Sequence, residues 1–351
     1  MTSDGKPYRK EGYIRPQELL PTGYQSHQPF QQVQVEPTHN MASQEAWDQP
    51  VNDHKITLNL QELREDELAL IKSQTGIQDM DELQRHVESI AEKAFKIYPY
   101  GYLTQPAFLK FKSSYIPIFK HVLELGKTRQ NAIFLDIGCG FGHDTRKTIA
   151  DGYPIENVIA SDIHPEFWTL GHELFKSTPE SFPVPFILGD ALDDAFIPDC
   201  LPFDTETHKP LTEKPSQTTL ASAKSLAPLQ GHVSAVHASA LFHLFVEEQQ
   251  RVLAKKLASL LSPEPGSVIF GFQLGASEAK EITNIREEKI FLHSEDSWTR
   301  LWVGKEGEGE LEGVFPKGMV QVDVRLYNLK PTTGGTTSSD LDLLVWSVER
   351  I

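Results

Sequence analysis

Between Ala132 and Asp144 the chain reads AIFLDIGCGFGHD, and few folds can use such a stretch. Ile133, Phe134 and Leu135 form a short apolar run that suits a buried parallel strand, and Asp136 interrupts it where a strand would leave the sheet. Gly138, Gly140 and Gly142 stand at every second position, so the backbone there can take positive φ and approach a ligand with no Cβ in the way. His143, Asp144 and Thr145 then open a helical segment whose unpaired N–H groups favour a carboxylate or a phosphate. Strand, glycine turn and helix in this order predict an α/β protein with a ligand at the turn.

What is missing narrows the ligand. A phosphate loop ends in Gly-Lys-Ser/Thr, whereas Gly142 is followed by His143 and Asp144, which argues against a nucleoside triphosphate. The dinucleotide fingerprint needs a third glycine where His143 stands. Two later stretches repeat the first: NVIASD, from Asn157 to Asp162, and FILGD, from Phe186 to Asp190, are short apolar strands that each end in an acid. One strand-end aspartate usually caps a helix or forms a turn. Three in order at βαβ spacing predict a single ligand-facing edge, on which the Asp162 carboxylate can accept both hydroxyls of a ribose.

The rest of the chain divides around this centre. Residues 1–55 are rich in Gln, Pro, Thr, Ser and His and predict a flexible arm, with scattered Tyr8, Tyr13, Ile14, Tyr24 and Phe30 able to rest on the folded body. Residues 56–130 predict a helical cap or lid: Leu60, Leu63, Leu68 and Ile71, then Leu83, Val87, Ile90 and Ala94, fall at helical spacing in two helices joined near Gly76. Tyr98-Pro99-Tyr100-Gly101-Tyr102 follows, either lining a pocket or anchoring the cap, and a helix from Pro106 to Leu125 leads into the first strand. Residues 131–351 form the main domain. Within it, 199–230 predicts a surface insertion rich in Thr, Pro and Lys, placed to reshape a binding pocket. HVSAVHASALFHL, from His232 to Leu244, predicts a fourth strand running into a helix that Glu247 to Leu261 continue. Ser267 to Phe272 predict a fifth strand, and Met319–Leu329 with Leu341–Val348 predict an antiparallel hairpin. Strands alternating with helices and closing in a hairpin give a three-layer, doubly wound, Rossmann-like sheet.

Composition limits the partners. The formal net charge is −16, from 49 acidic against 33 basic residues, which disfavours nucleic acid and anionic membrane and leaves a small molecule. With 2 cysteines, one of them Cys139 inside the glycine loop, neither a disulfide framework nor a zinc site is expected, and no metal is required. The absence of a membrane-length apolar run or a secretion signal predicts a soluble, cytoplasmic protein.

The pattern Asp-x-Gly-x-Gly-x-Gly resembles the first motif of class I S-adenosylmethionine (SAM) methyltransferases, whose sheet ends in the same kind of hairpin. More narrowly, YPYGYL, FLDIGCGFGHDTRKTIADGYP, SDIHPEFWTLGHELF, HASALFHLF and FLHSEDSWTRLW resemble fungal small-molecule methyltransferases, including carboxyl O-methyltransferases of meroterpenoid pathways, over roughly residues 60–351. The resemblance implies SAM as cofactor, with S-adenosylhomocysteine as product, and a monomer or homodimer. It implies a glycine loop of Asp136, Gly138 and Gly140 facing the methionyl end, with Tyr98 and His237 nearby. It also implies Asp162 and Ile163 at the ribose, and Asp190 beside the adenine amino group with the Ala191 backbone N–H on the ring. The acceptor is then a phenolic hydroxyl or a carboxylate of a secondary metabolite. A carboxylate needs no base, while a phenol with a pKa of about 10 gains from one, and His243, His237 and His293 are the candidates. Phe242, Phe272, Trp298 and Trp302 are either acceptor pocket or plain core. The alternatives are N- or C-methylation, or a SAM-binding regulator without catalysis.

Overall fold

The computed structural model describes residues 56–206, 215–284, 286–304, 313–328 and 342–351; the predicted arm, 1–55, lies outside them. The strands are β1 (Ile133–Ile137), β2 (Val158–Asp162), β3 (Phe186–Leu188), β4 (Val233–His237), β5 (Val268–Gly275), β6 (Lys280–Thr283), β7 (Lys289–Leu292), β8 (Val320–Asn328) and β9 (Asp342–Arg350). The helices are α1 (Glu65–Thr75), α2 (Met80–Ile97), α3 (Phe119–Thr128), α4 (His143–Ala150), α5 (Pro165–Leu174), α6 (Gln217–Ala221), α7 (Glu247–Leu260) and α8 (Glu295–Val303).

The main sheet has seven strands in the order β3-β2-β1-β4-β5-β9-β8. β1 to β5 pair in parallel, and β9 runs antiparallel to both β5 and β8. This is the Rossmann-like methyltransferase sheet with its terminal hairpin, as expected. The strand order reverses between β1 and β4, and an open α/β sheet binds ligands outside the carboxyl ends of its strands at such a reversal. β1 is buried at every position because both its faces are covered. Phe134 joins Val122 and Leu125 of α3 on one side, while Ile133, Leu135 and Ile137 join Leu253 and Leu257 of α7 on the other, which gives the three layers.

The cap holds the two predicted helices. Asp79 caps α2 by accepting the Glu82 N–H at 2.8 Å, and Gly76 closes α1 with φ 72°, the left-handed conformation a glycine adopts without penalty. Leu83, Val87, Ile90 and Ala94 are buried against Phe167, Leu170, Leu174 and Phe175 at α5 and against Phe141 of the glycine loop. Cap and sheet domain therefore share one apolar cluster.

Three expectations need correction, and one that had two readings takes the second. The helix from Pro106 to Leu125 is instead two 3-10 turns, Pro106–Leu109 and Lys112–Tyr115, followed by α3. Pro117 removes an N–H and keeps Ile116 extended, at ψ 127°, so the helix cannot pass through. β4 does not run into α7: His243 lies in a separate 3-10 turn, Phe242–Leu244, and Phe245 is extended at ψ 160°. Phe242, Trp298 and Trp302 are core, since Phe242 meets Trp298 edge-on at 4.9 Å and Trp298 packs on Trp346 at 4.8 Å. The insertion is not simply surface. Its residues 207–214 lie outside the described ones, but Leu220, Leu226 and Leu229 are buried and the Leu226 N–H donates to Phe196 O at 3.0 Å. Arg350, at the far end of β9, donates to Phe203 O. The Arg350 contact lies at the amino end of β5, where Val268 pairs with Glu349. The hairpin of β6 and β7 was not anticipated.

Candidate active site

The glycine turn is built as its sequence requires. Gly138, Gly140 and Gly142 all have positive φ, between 53° and 72°. At Gly142 the need is absolute, because a Cβ would stand 2.5 Å from the Trp168 ring. The amides of Gly138 and Cys139 both donate to Ser161 O, at 2.8 and 3.1 Å, which ties the turn to the tip of β2. Asp162 then takes the Gly140 N–H on one oxygen at 2.8 Å and the His164 N–H on the other at 2.9 Å. A carboxylate offers about four acceptor positions, so two remain for hydroxyls. Burial pushes the Asp162 pKa up, against the pull of those two amides. Ile163 beside it is exposed.

Asp136 is placed differently from the expectation. Its carboxylate is buried between β1 and β4, where one oxygen accepts from the Thr145 hydroxyl at 2.5 Å and the other meets His237 Nδ1 at 2.8 Å. The second nitrogen of His237 lies 2.6 Å from the Ser239 hydroxyl, which accepts the Phe272 N–H at 3.3 Å. One chain of hydrogen bonds thus runs from α4 through the tips of β1 and β4 to β5. Burial alone would lower the His237 pKa, but the Asp136 carboxylate beside it, with Asp144 further off, holds it above the ordinary value. Asp136 and His237 are both almost fully buried within this network. Ser239 was missed, although its place two residues after His237 leaves it on the same side of an extended chain.

Asp190 follows β3 and accepts the Leu192 N–H at 2.8 Å, a tight turn that leaves the Ala191 amide without a hydrogen-bond partner among the described residues. Across the cleft, the tyrosine run of the cap leans over the glycine turn. Tyr98 stacks near His164 at 5.4 Å, Tyr100 lies between Tyr98 and Tyr102, and a Cβ on Gly140 would stand 3.9 Å from the Tyr102 hydroxyl. Burial, then the Asp162 charge, raises the Tyr100 pKa. Tyr100 and Tyr102 thus come as near to the turn as Tyr98, the one singled out. Arg286, in the loop of the β6–β7 hairpin, places its guanidinium 4.5 Å from the Tyr98 ring and is itself held by Glu288 at 2.8 Å.

Beside the turn, Asp144 in the first turn of α4 accepts the Ser113 N–H at 3.1 Å and its hydroxyl at 2.5 Å, and pairs with His143 Nε2 at 3.0 Å. Burial would raise its pKa, yet His143 and the Ser113 hydroxyl hold it well below the usual carboxylate range. Lys112, next to Ser113, is half-buried with its ammonium 5.1 Å from the Phe272 ring, and that ammonium has no hydrogen bond or ion pair among the described residues. Burial lowers its pKa. Burial first, then the charge of Lys112, brings the His243 imidazole down to about 4, and its Nδ1 is buried with no partner among the described residues. A base so weak transfers protons poorly near neutral pH, and a neutral ring is better suited to donating a hydrogen bond. His293 stands apart, packed between Phe291 and Trp298 with Nδ1 on the Ser297 hydroxyl at 2.9 Å, and burial brings it down to about 3. Among the described residues no cluster of acids, histidines and cysteines is arranged to hold a metal ion, and no helix is long and apolar enough to cross a membrane.

Residues 56–109 match the family described as the meroterpenoid methyltransferase N-terminal domain. The chain is 30% identical over 226 residues to the methyltransferase prhM of Penicillium brasilianum, an alignment that covers 64% of this chain and 70% of that one. It is 28% identical over 219 residues to the O-methyltransferase phiE of a fungal species, covering 62% and 63% of the two chains. Among solved structures, the 1,6-didemethyltoxoflavin-N1-methyltransferase of Burkholderia thailandensis aligns at 12% identity with a TM-score of 0.42, over 81% of this chain and 89% of that one. With the cap and the methyltransferase sheet both present, the chain belongs to the family of fungal methyltransferases that includes prhM, and it is a methyltransferase.

Proposed function

We propose that the protein transfers the methyl group of SAM to an oxygen of a small secondary metabolite, a carboxylate or a phenolic hydroxyl. The convergence of three strand tips supports this reading. Asp162 keeps acceptor positions free at the end of β2, the Ala191 amide after β3 has no hydrogen-bond partner among the described residues, and the glycine turn stands beside them at the tip of β1. Asp162 would hold the ribose, Asp190 and Ala191 the adenine, and the Gly138–Gly142 turn the methionyl end, with Tyr98, Tyr100 and Tyr102 closing over them. The name of phiE as an O-methyltransferase favours oxygen as the acceptor atom.

When bound, SAM supplies a methyl group on a sulfonium that is already a good leaving group. The chain's share is alignment and exclusion of water, and such positioning lowers a barrier by roughly 7–11 kcal/mol. The bonds from Thr145 through Asp136, His237 and Ser239 to Phe272 fix the tips of β1, β4 and β5 relative to α4, which makes the floor of the cleft rigid. The cap's tyrosines shield the turn from solvent. Incubation with methyl-labelled SAM and panels of carboxylic acids and phenols, followed by mass spectrometry, tests the reading. Label on an acceptor oxygen is expected; label on nitrogen or carbon, or no turnover with any acceptor, would refute it.

A further inference from the structure

Lys112 carries a charge that no described carboxylate answers. Its acidic neighbours are Asp144 and Glu67. Asp144 is already held by Ser113 and His143, while Glu67 accepts the Arg64 N–H at 2.9 Å and the Tyr115 hydroxyl at 3.1 Å. What Lys112 meets instead is the face of Phe272, the residue of β5 whose N–H holds Ser239 at the binding edge. Lys112 is half-buried, and an aromatic face compensates its charge less completely than a carboxylate would. His243, in the 3-10 turn that follows β4, adds an imidazole nitrogen that is buried and has no partner among the described residues. A buried nitrogen left unpaired in a native fold calls for a ligand or an ordered water.

We propose that Lys112 and His243 form a carboxylate-binding subsite at the seam between the cap and the tips of β4 and β5. The ammonium supplies the charge and the neutral imidazole supplies an N–H donor, a pair that matches an anion and leaves a neutral phenol with an uncompensated cation beside it. This rests on the methyl-transfer reading above. If the carboxylate is the acceptor's, an oxygen lone pair forms the new O–CH3 bond, the S–CH3 bond breaks with its electron pair left on sulfur, and no proton moves. The neutral ester then loses its attraction to Lys112, which favours its release.

The same chemistry is carried by the acceptor and by the methionyl end of the cofactor, and the two are separable by calorimetry on the full chain. For the acceptor, protein saturated with S-adenosylhomocysteine is titrated with benzoate and with benzamide, its neutral counterpart. We expect benzoate to bind about tenfold tighter, Lys112→Gln to erase that preference and Lys112→Arg to keep most of it. For the cofactor, S-adenosylhomocysteine is compared with 5′-methylthioadenosine, which lacks the carboxylate. If Lys112→Gln weakens only the former, by about tenfold, the subsite serves the methionyl group. Lys112→Gln that melts like wild type and changes neither ratio overturns the proposal, as does wild type with no preference in either pair. Wild type that binds neither nucleoside would overturn the methyl-transfer reading together with it.

Discussion

At the scale of single residues, two acids that look alike in the sequence have different tasks. Asp136 and Asp162 both end apolar strands, yet Asp136 is closed off by Thr145 and His237, whereas Asp162 takes only backbone amides and stays open toward the cleft. Asp162→Ala should therefore weaken S-adenosylhomocysteine binding by about 10- to 100-fold while the far-ultraviolet circular dichroism stays that of wild type. Wild-type affinity in a calorimetric titration would remove Asp162 from the ribose. His237 carries a different prediction. Its pKa is raised in the folded state, so its contribution to stability is complete below its unfolded value, about 6.5, and is lost as pH rises through the folded one. Urea unfolding should show wild type losing its advantage over His237→Gln between neutral and alkaline pH; a constant difference would mean that the Asp136 pairing is not ionic. The strand-end acids were legible because a strand tip confines where a side chain can go. Lys112 was not, since nothing local distinguishes a lysine in a cap turn from one in solvent, and only the fold brings it to Phe272.

At the scale of elements, the sequence was clearest where burial is periodic and least clear where partners are distant. α2 and β1 follow from their own residues, because α2 buries the face its helical spacing marks and β1 is a short apolar run buried on both faces. The 3-10 turns before α3 escaped because the apolar residues of 106–125 fit a helix, and the effect of Pro117 on Ile116 outweighs that pattern. The β6–β7 hairpin escaped because its strands have four residues each, too few for alternation to register. That hairpin nevertheless reaches the tyrosine run through Arg286, whose guanidinium lies on Tyr98 and is oriented by Glu288. An exposed cation–π contact of this kind contributes about 0.5–1 kcal/mol, so Arg286→Ala should speed release of S-adenosylhomocysteine by roughly two- to fivefold with no change in melting temperature. Stopped-flow release rates equal to wild type would show that the hairpin and the tyrosine run act independently.

At the scale of the whole molecule, cap and sheet are bound by more than the cleft between them. Leu83, Val87, Ile90 and Ala94 of α2 bury Phe167, Leu170, Leu174 and Phe175 at α5, and the same cluster contains Phe141 from within the glycine turn. Ser113, in the turn after the cap helices, holds Asp144 at the start of α4. The cap thus contributes to the core that holds the glycine turn, a stronger role than that of a lid opening on a hinge. Exposing five large apolar side chains removes roughly 1.5–3 kcal/mol each, comparable in sum to the whole stability of an ordinary domain. A fragment of residues 131–351 should accordingly be aggregation-prone or loosely packed, with no near-ultraviolet circular dichroism signal and no calorimetric response to S-adenosylhomocysteine. Full-length protein should unfold in one transition that S-adenosylhomocysteine shifts upward as a unit, by about 2.7 kcal/mol at a hundred times its dissociation constant. A fragment that folds and binds the nucleoside with the affinity of the full chain would make the cap a separable lid, and would locate the rigidity of the glycine turn in the sheet alone.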